Sequence, residues 1–374
     1  MPLDSMLVAA GFHGCPIPSR MMSTTSDAEV ISALIAQRRS DPATFGSTAP
    51  HPGPLRLPAE FERKSELHLV FPGWLDHETL FQDVLAATWA EGEVHVHLMH
   101  PGDRSRVRSL ANQRGVPSSS LRVHSGWPVE SIWIRDYGPM SVERDGGYAL
   151  VDWIYALDCM DDDALPTRFG EATGREVSRP ALVLDGGNLT SDGEGTCFTT
   201  TGLLELNEAE PEDLEAVLRA YTGCRELVVL EPLSGNVIDH VDQLLAVAPD
   251  GRLLLAMPDP LLDPVNHEVM QRNRTRLEHT RRPDGRSWTL LDVPMPAPGT
   301  VRGEEEGEPL VVSYLNLLPF NGVVVVPTFA DDQHQELALK QIASAYPGRR
   351  IVPVRADRVA SNYGAVHCVT LTLP

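Results

Sequence analysis

The sequence predicts an α/β fold assembled from repeated strand–helix–strand units. Three observations carry this reading. From about Leu55 onward, short apolar runs of strand length alternate with segments of helical length and spacing. The alternation recurs several times without close identity between copies, the mark of an internally repeated architecture. No Gly-x-Gly-x-x-Gly follows a strand to open a helix, and no Walker-type loop is present, which weakens nucleotide-binding readings. Periodicity alone leaves two arrangements open, a doubly wound sheet or a pseudo-symmetric array.

The elements follow in order. Residues 1–53 form a prefix, with a helix over "SDAEVISALIAQRR" capped by Ser26, then a Pro-rich linker, "DPATFGSTAPHPGP". "ELHLVF" reads as a strand and "DHETLFQDVLAATWAEG" as the helix after it. "EVHVHLM" is the next strand and "DRSRVRSLANQRG" the next helix. "ELNEAEPEDLEAVLRAYTG" leads into the strand "RELVVL". "GVVVVPTF" leads through "DDQHQELALKQIASAYPG" to "RIVPV". "MPAPGTVRGEEEGEP" is rich in Pro, Gly and acid and reads as a surface loop.

Composition narrows the partners. Of 374 residues, 42% are hydrophobic and 22% charged, ordinary values for a globular chain. Lys and Arg number 31 against 52 Asp and Glu, a net charge of −21. That balance argues against nucleic acid or an anionic membrane as the main partner, and suits a small cation or a basic peptide. The five cysteines, Cys15, Cys159, Cys197, Cys224 and Cys368, are odd in number and widely spaced, with no Cys-x-x-Cys. Neither a zinc site nor a disulfide scaffold is expected, and reduced thiols in a cytoplasm are the simplest reading. No apolar run reaches membrane-spanning length. The opening "MPLDSMLVAAGFHGC" lacks a basic n-region, so an export signal is not favoured.

Four stretches hold residues suited to chemistry. "SIWIRDYGPM" reads as a strand ending in Arg135-Asp136, where a salt bridge is the plainer reading and a sheet-end site the alternative. "LDGGNLTSDGEGTCFTT" reads as a hairpin turning at Asp192-Gly193, or as a loop bringing Asp185 or Asn188 to a ligand. If Ile238 to Leu244 is a strand, His240 and Asp242 share one face; a structural pair and a catalytic pair both fit. In the terminal "AVHCVTLTL", strand parity sends His367 and Cys368 to opposite faces. His367 is therefore read as a structural histidine, and a reactive Cys368 would take His240 as its partner.

Read together, "WIRDYGP", "DGGNLTSDGEGT", "IDHVD", "SYLN" and "GAVHC" occur in the order found in guanidine-modifying penteins, the agmatine deiminases and bacterial peptidylarginine deiminases. The chain resembles that family over residues 54–374, and "LPAEFERKSELHLVFPG" resembles its opening segment. The resemblance implies a five-bladed α/β propeller of ββαβ units, the pentein fold, around an acidic channel. It implies Cys368 as nucleophile, His240 as general acid and base, and Asp136 and Asp242 as guanidinium ligands. Asn188 and Asn316 are supporting positions, and Trp133 is a channel wall beside the substrate.

These residue types suit the chemistry. A guanidinium is a permanent planar cation, so burying it requires carboxylates that pair with its fork of N–H groups. A thiolate then attacks the central carbon from one face, and a histidine shuttles protons to ammonia and from water. The scheme needs no metal or organic cofactor. The expected partner is a small guanidino cation or an arginine-containing peptide, with homo-oligomer formation left open.

The sequence also departs from the family pattern. Leu157 and Cys159 stand where two arginines of the peptidylarginine deiminase pattern bind a C-terminal carboxylate. Asp158, Asp161, Asp162 and Asp163 follow, read as a solvated run rather than a second cation site. Tyr363 replaces a common glycine. Two rival functions remain: an amidinotransferase on the same scaffold, and a cation-binding protein without turnover.

Overall fold

The computed structural model describes residues 40–374 apart from 74–76, 237, 304–306 and 331–332, so the helix expected over 26–39 lies outside the described residues. The described strands form five small sheets. The first holds Glu66–Phe71 (β1), Glu93–Leu98 (β2) and Leu121–His124 (β3), all parallel, with helices Glu78–Thr88 and Arg104–Gln113 in the crossovers. The second holds Met140–Arg144 (β4), Gly147–Val151 (β5) and Val177–Ser178 (β6). The third holds Thr190–Ser191 (β7), Thr196–Thr200 (β8) and Glu226–Leu230 (β9). Leu245–Ala248 (β10), Arg252–Met257 (β11) and Thr289–Pro294 (β12) make the fourth, and Leu318–Phe320 (β13), Val323–Thr328 (β14) and Arg350–Arg355 (β15) the fifth.

One pattern recurs in the last four sheets. The first strand is antiparallel to the second, the second parallel to the third, and a helix bridges the latter two. The terminal strand Thr370–Leu373 (β16) pairs antiparallel with β1 and gives the first sheet the same start. The architecture is therefore a five-fold pseudo-symmetric α/β propeller, and the doubly wound alternative is excluded.

Local chemistry explains the units. In β14 an unbroken valine run is buried along its whole length, as a central strand covered on both faces requires. The β4–β5 hairpin turns at Asp145-Gly146, both at positive φ, the geometry that two-residue hairpins favour. Asp263 caps helix Pro264–His279 by accepting from the Asn266 amide at 3.1 Å, with proline at the first helical position. The Asp192-Gly193 turn is as expected, its amides from Glu194 to Thr196 bonding the Asp192 carboxylate.

Three expectations need correction. The stretch read as a Pro-rich linker is held down: Phe45 is buried, the Arg179 side chain bonds the Gly46 carbonyl, and Tyr221 bonds that of Thr48. The acidic run is a solvated face only in part: Asp158 is exposed and Asp161 partly so, but the other two turn inward. Asp162 accepts from the Glu130 amide and Asp163 from the Tyr155 amide, both fully buried, while Asp161 pairs with Arg168. Burial pushes the Asp162 carboxyl up to about 7. Finally, Cys197 and Cys224 form a disulfide. Cys197 lies on β8 and Cys224 just ahead of its parallel neighbour β9, so strand pairing brings together two cysteines that no spacing motif links. The cytoplasmic placement rested on reduced thiols, and this bond removes that ground. Among the described residues, no helix is long and apolar enough to cross a membrane.

Because β16 closes the ring, its packing should limit stability. Leu373, fully buried and paired with Glu66, is the test position. Leu373→Ala should cost about 2–5 kcal/mol in urea denaturation; a loss well under 1 kcal/mol would mean the closure contributes little.

Candidate active site

Asp136, Asn188, Asp242, Asn316 and Cys368 each lie two to four residues ahead of the first strand of their sheets, β4, β7, β10, β13 and β16. Pseudo-symmetry therefore delivers one polar group per blade to one end of the ring. These segments are not strands. Ile134–Tyr137 is a single helical turn, Gly186–Asn188 and Val241–Gln243 are 3-10 turns, and residues 365–369 form a turn before β16. The apolar residues that suggested strands are buried, but the backbone must curl here to aim polar side chains inward.

Gly187 marks the centre. A Cβ at this position would lie 2.7 Å from Asp136 Oδ1, 2.8 Å from His240 Nδ1 and 3.1 Å from Asp242 Oδ2. Its amide donates to Asp136 Oδ1 at 3.1 Å. Three of the expected catalytic residues thus surround one glycine. The fourth is close by: Asn316 Nδ2 donates both to Cys368 Sγ at 3.2 Å and to Asp242 Oδ2 at 3.0 Å, and Sγ lies 3.7 Å from Asp242 Oδ2. Asn316 Oδ1 in turn accepts from the His367 amide at 3.0 Å, fixing the turn that carries the thiol.

Asn188 has a different place. Its Oδ1 accepts from the Val241 amide at 3.0 Å and from Thr200 Oγ1 at 3.2 Å, so it ties the histidine turn down. Trp133 is half-buried against Gly364, where a Cβ would meet the indole at 2.3 Å and Cys368 Cβ at 3.0 Å. The ring therefore lies beside the turn that carries Cys368. Leu157 packs on the apolar core and Cys159 is buried, so neither supplies a cation for a carboxylate. Tyr363 adopts φ +71°, the left-handed region that favours glycine, and its hydroxyl donates to Glu308 at 2.5 Å.

His367 needs correction. Strand parity made it a bystander, but the chain turns at residues 365–369 and parity does not apply. His367 Nδ1 lies 2.8 Å from Asp242 Oδ2, and Nε2 lies 2.8 Å from Glu60 Oε2. Arg135 pairs with Glu60 Oε1 at 2.6 Å. Sequence reasoning missed Glu60, whose only signal is its place in the "LPAEFERK" segment. It named Asp185 only as a loop residue. In the structure Asp185 Oδ2 lies 3.3 Å from His240 Nε2, while Oδ1 accepts from the Ala156 amide at 2.9 Å.

The electrostatics follow from burial of several acids together. Burial alone would push His240 down, but Asp136, Asp185 and Asp242 outweigh it and raise the imidazole to about 9. Burial, with Asp185 and Asp242 nearby, raises the Asp136 carboxyl to about 7 despite the pull of His240. Burial raises the Cys368 thiol well above its ordinary value, and Asp242 and Asp136 push it further. Against burial, Arg135 and His367 hold Glu60 down at about 2. Asp242 Oδ1 and His240 Nδ1 are buried without a hydrogen-bond partner among the described residues. The site thus joins a protonated imidazole, a neutral thiol and carboxylates with an unused acceptor, a surplus of negative charge fit for a planar cation.

Gly187→Ala is the direct test of this geometry. The added methyl occupies the point where three side chains meet, and a displacement near 1 Å should lower kcat/KM about 100-fold. Circular dichroism should stay unchanged. An active Gly187→Ala variant would show that the reacting atoms lie elsewhere.

Comparison with known proteins places this arrangement. The family described as Porphyromonas-type peptidyl-arginine deiminase matches residues 56–374. A Legionella pneumophila (strain Paris) protein assigned by name as an agmatine deiminase is 27% identical over 349 residues, covering 88% of this chain and 98% of that protein. Among solved structures, a Porphyromonas gingivalis protein assigned as an arginine deiminase superposes with TM-score 0.74 at 25% identity, covering 86% of this chain and 98% of the other. The agmatine deiminase of Enterococcus faecalis shares the fold, with TM-score 0.76 at 23% identity over 87% and 99% of the two chains.

Proposed function

This chain belongs to the Porphyromonas-type peptidyl-arginine deiminase family, and on that premise we propose that it hydrolyses a guanidino substrate to a ureido product and ammonia through a covalent bond to Cys368. One observation carries the assignment of roles: Asp136, His240 and Asp242 converge on Gly187 with the Cys368 sulfur 3.7 Å from Asp242.

The guanidinium takes the place where buried carboxylates lack a cation. Asp136 and the free oxygen of Asp242 accept its N–H groups, which orients the plane and offsets the cost of desolvating it. The same event changes the nucleophile. In the free enzyme burial, reinforced by Asp242 and Asp136, suppresses ionisation of Cys368. A bound cation reverses that field, so the thiol releases its proton to solvent as the substrate binds. The thiolate forms a C–S bond to the central carbon. His240 protonates the departing nitrogen, the C–N bond breaks, and ammonia leaves. His240 then takes one proton from water as it attacks the same carbon; the C–S bond breaks, the remaining hydroxyl proton passes to the departing sulfur and restores the thiol, and the ureido product leaves. Asp185 holds the imidazole by Nε2, and His367 holds Asp242 from behind. The substrate class is a guanidino compound without a carboxylate next to Leu157 and Cys159, which favours a guanidino amine or an internal arginine over a C-terminal arginine.

The test is a panel of agmatine, arginine and arginine peptides with an ammonia readout. Cys368→Ala should lose turnover on all of them while keeping its fold, and ammonia should appear without an added amine acceptor. Ammonia released only when an amine is supplied would identify an amidinotransferase instead. Asp242→Asn should raise KM more than it lowers kcat.

A pH profile separates the histidine's role. With His240 raised to about 9 by its carboxylates, activity should fall as pH climbs through about 9 and the proton donor is lost. Asp185→Asn removes one of those carboxylates, so the alkaline limb should move to lower pH. A limb that does not move would remove Asp185 from the proton-transfer assembly.

A further inference from the structure

The first sheet carries a second cluster of ligating side chains that the deiminase chemistry does not use. The sequences "ELH" at 66–68 and "EVH" at 93–95 fall in register on neighbouring parallel strands: Glu66 pairs with Glu93, and His68 with His95. Period 2 places all four on one face, where apolar residues would be expected. His97 on β2 and His124 on β3 extend the same face. We propose that Glu66, His68 and His95, with Glu93 at the open side, form a binding site for a transition-metal dication of the zinc class.

The donor set fits such an ion. Ligand atoms of Glu66, His68 and His95 lie within 4.8 Å of one another. His68 Nε2 and Glu66 Oε2 are 3.0 Å apart, and His95 Nε2 lies 3.6 Å from Glu93 Oε2. A tetrahedral ion with bonds of about 2.0–2.1 Å spaces its donors roughly 3.4 Å apart, so both pairs are already near that value. Imidazole with carboxylate suits zinc and its neighbours rather than magnesium or calcium. Glu93 is largely exposed and His95 partly so, which leaves a way in.

The surrounding groups match what metal-bound histidines require. The other ring nitrogens are held from behind: His68 Nδ1 lies 3.0 Å from His97 Nε2, and His95 Nδ1 lies 3.1 Å from His124 Nε2. A ligating histidine ordinarily gives its second N–H to an acceptor that sets tautomer and ring angle. His95 Nε2 is buried with no close hydrogen bond among the described residues and faces Glu93 Oε2 at 3.6 Å. Without metal, a proton between His68 Nε2 and Glu66 satisfies both. With metal, the ion takes that place: the His68 proton sits on Nδ1 and is donated to His97 Nε2, and His97 carries its own proton on Nδ1. Arg175 bonds Glu66 Oε1 at 2.5 Å and Arg122 reaches Glu93 Oε2 at 3.4 Å. Arg175 also donates to Glu66 Oε2 at 3.3 Å, so both arginines must yield for their glutamates to ligate.

The experiment is equilibrium dialysis of the full chain against zinc chloride, with metal counted by mass spectrometry. Wild type should take up one ion per chain at this site, and Cys368→Ser should take up the same amount, which separates this site from the thiol. His95→Gln and Glu66→Gln should each lose that ion, and His95→Gln should still release ammonia at the wild-type rate, which shows that it folds. His97→Gln and His124→Gln, which remove only the supporting bonds, should weaken uptake about 10–100-fold. Uptake by His95→Gln and Glu66→Gln within threefold of wild type would overturn the proposal. So would a wild type that takes up no more zinc than these variants.

Discussion

Carboxylates that cannot all be solvated meet around Gly187, and the cost of holding them out of water governs the rest of the site. Asp136, Asp185 and Asp242 are each buried or nearly so, with one imidazole among them. The protein answers that repulsion in three ways. His240 keeps its proton, Cys368 keeps its own, and Asn316 spends both hydrogens of its amide on Asp242 and the thiol. Behind Asp242 a second line of charge alternates in sign, from His367 to Glu60 to Arg135. What remains uncompensated is an acceptor facing the space that a planar cation fills.

The ring makes such crowding attainable. Side chains from five separate segments approach one point because each sheet begins with a strand pointing the same way and is preceded by a short turn. The fourth blade supplies both His240 and Asp242, the one capping and the other lying within a single 3-10 turn. The backbone is packed tightly enough to leave no slack. A side chain at Gly186 would strike the Arg135 carbonyl at 2.2 Å, and one at Gly364 the Trp133 ring. The glycines are thus places where one blade's turn presses against another's.

Much of this was legible in the chain. Strand and helix periodicity located the outer blades, because Val323–Val326 or helix Pro211–Thr222 keep one solvent relation over their whole length. Periodicity failed at 131–140, 238–244 and 365–369, where buried apolar residues accompany a curled backbone; burial and extension are different properties that produce the same local pattern. That failure misplaced His367, while Cys368, His240, Asp136 and Asp242, singled out through ordered motifs, lie close together around Gly187 and Asn316. Glu60 and the Cys197–Cys224 bond carried no local signal, since each depends on segments brought together only by the closed ring. The duplicated Glu-x-His pair was visible as letters, but its meaning depends on a register that β1 and β2 reveal.

The protonated state of Cys368 has a consequence for survival. The chain carries an oxidised pair in Cys197 and Cys224 and a reduced sulfur in Cys368, and the two must coexist. Peroxides and disulfides react with the ionised form of sulfur far faster than with its protonated form. Held neutral by burial and by the acids beside it, the proposed nucleophile is shielded from oxidants during its idle time and exposed to them only while a substrate covers it.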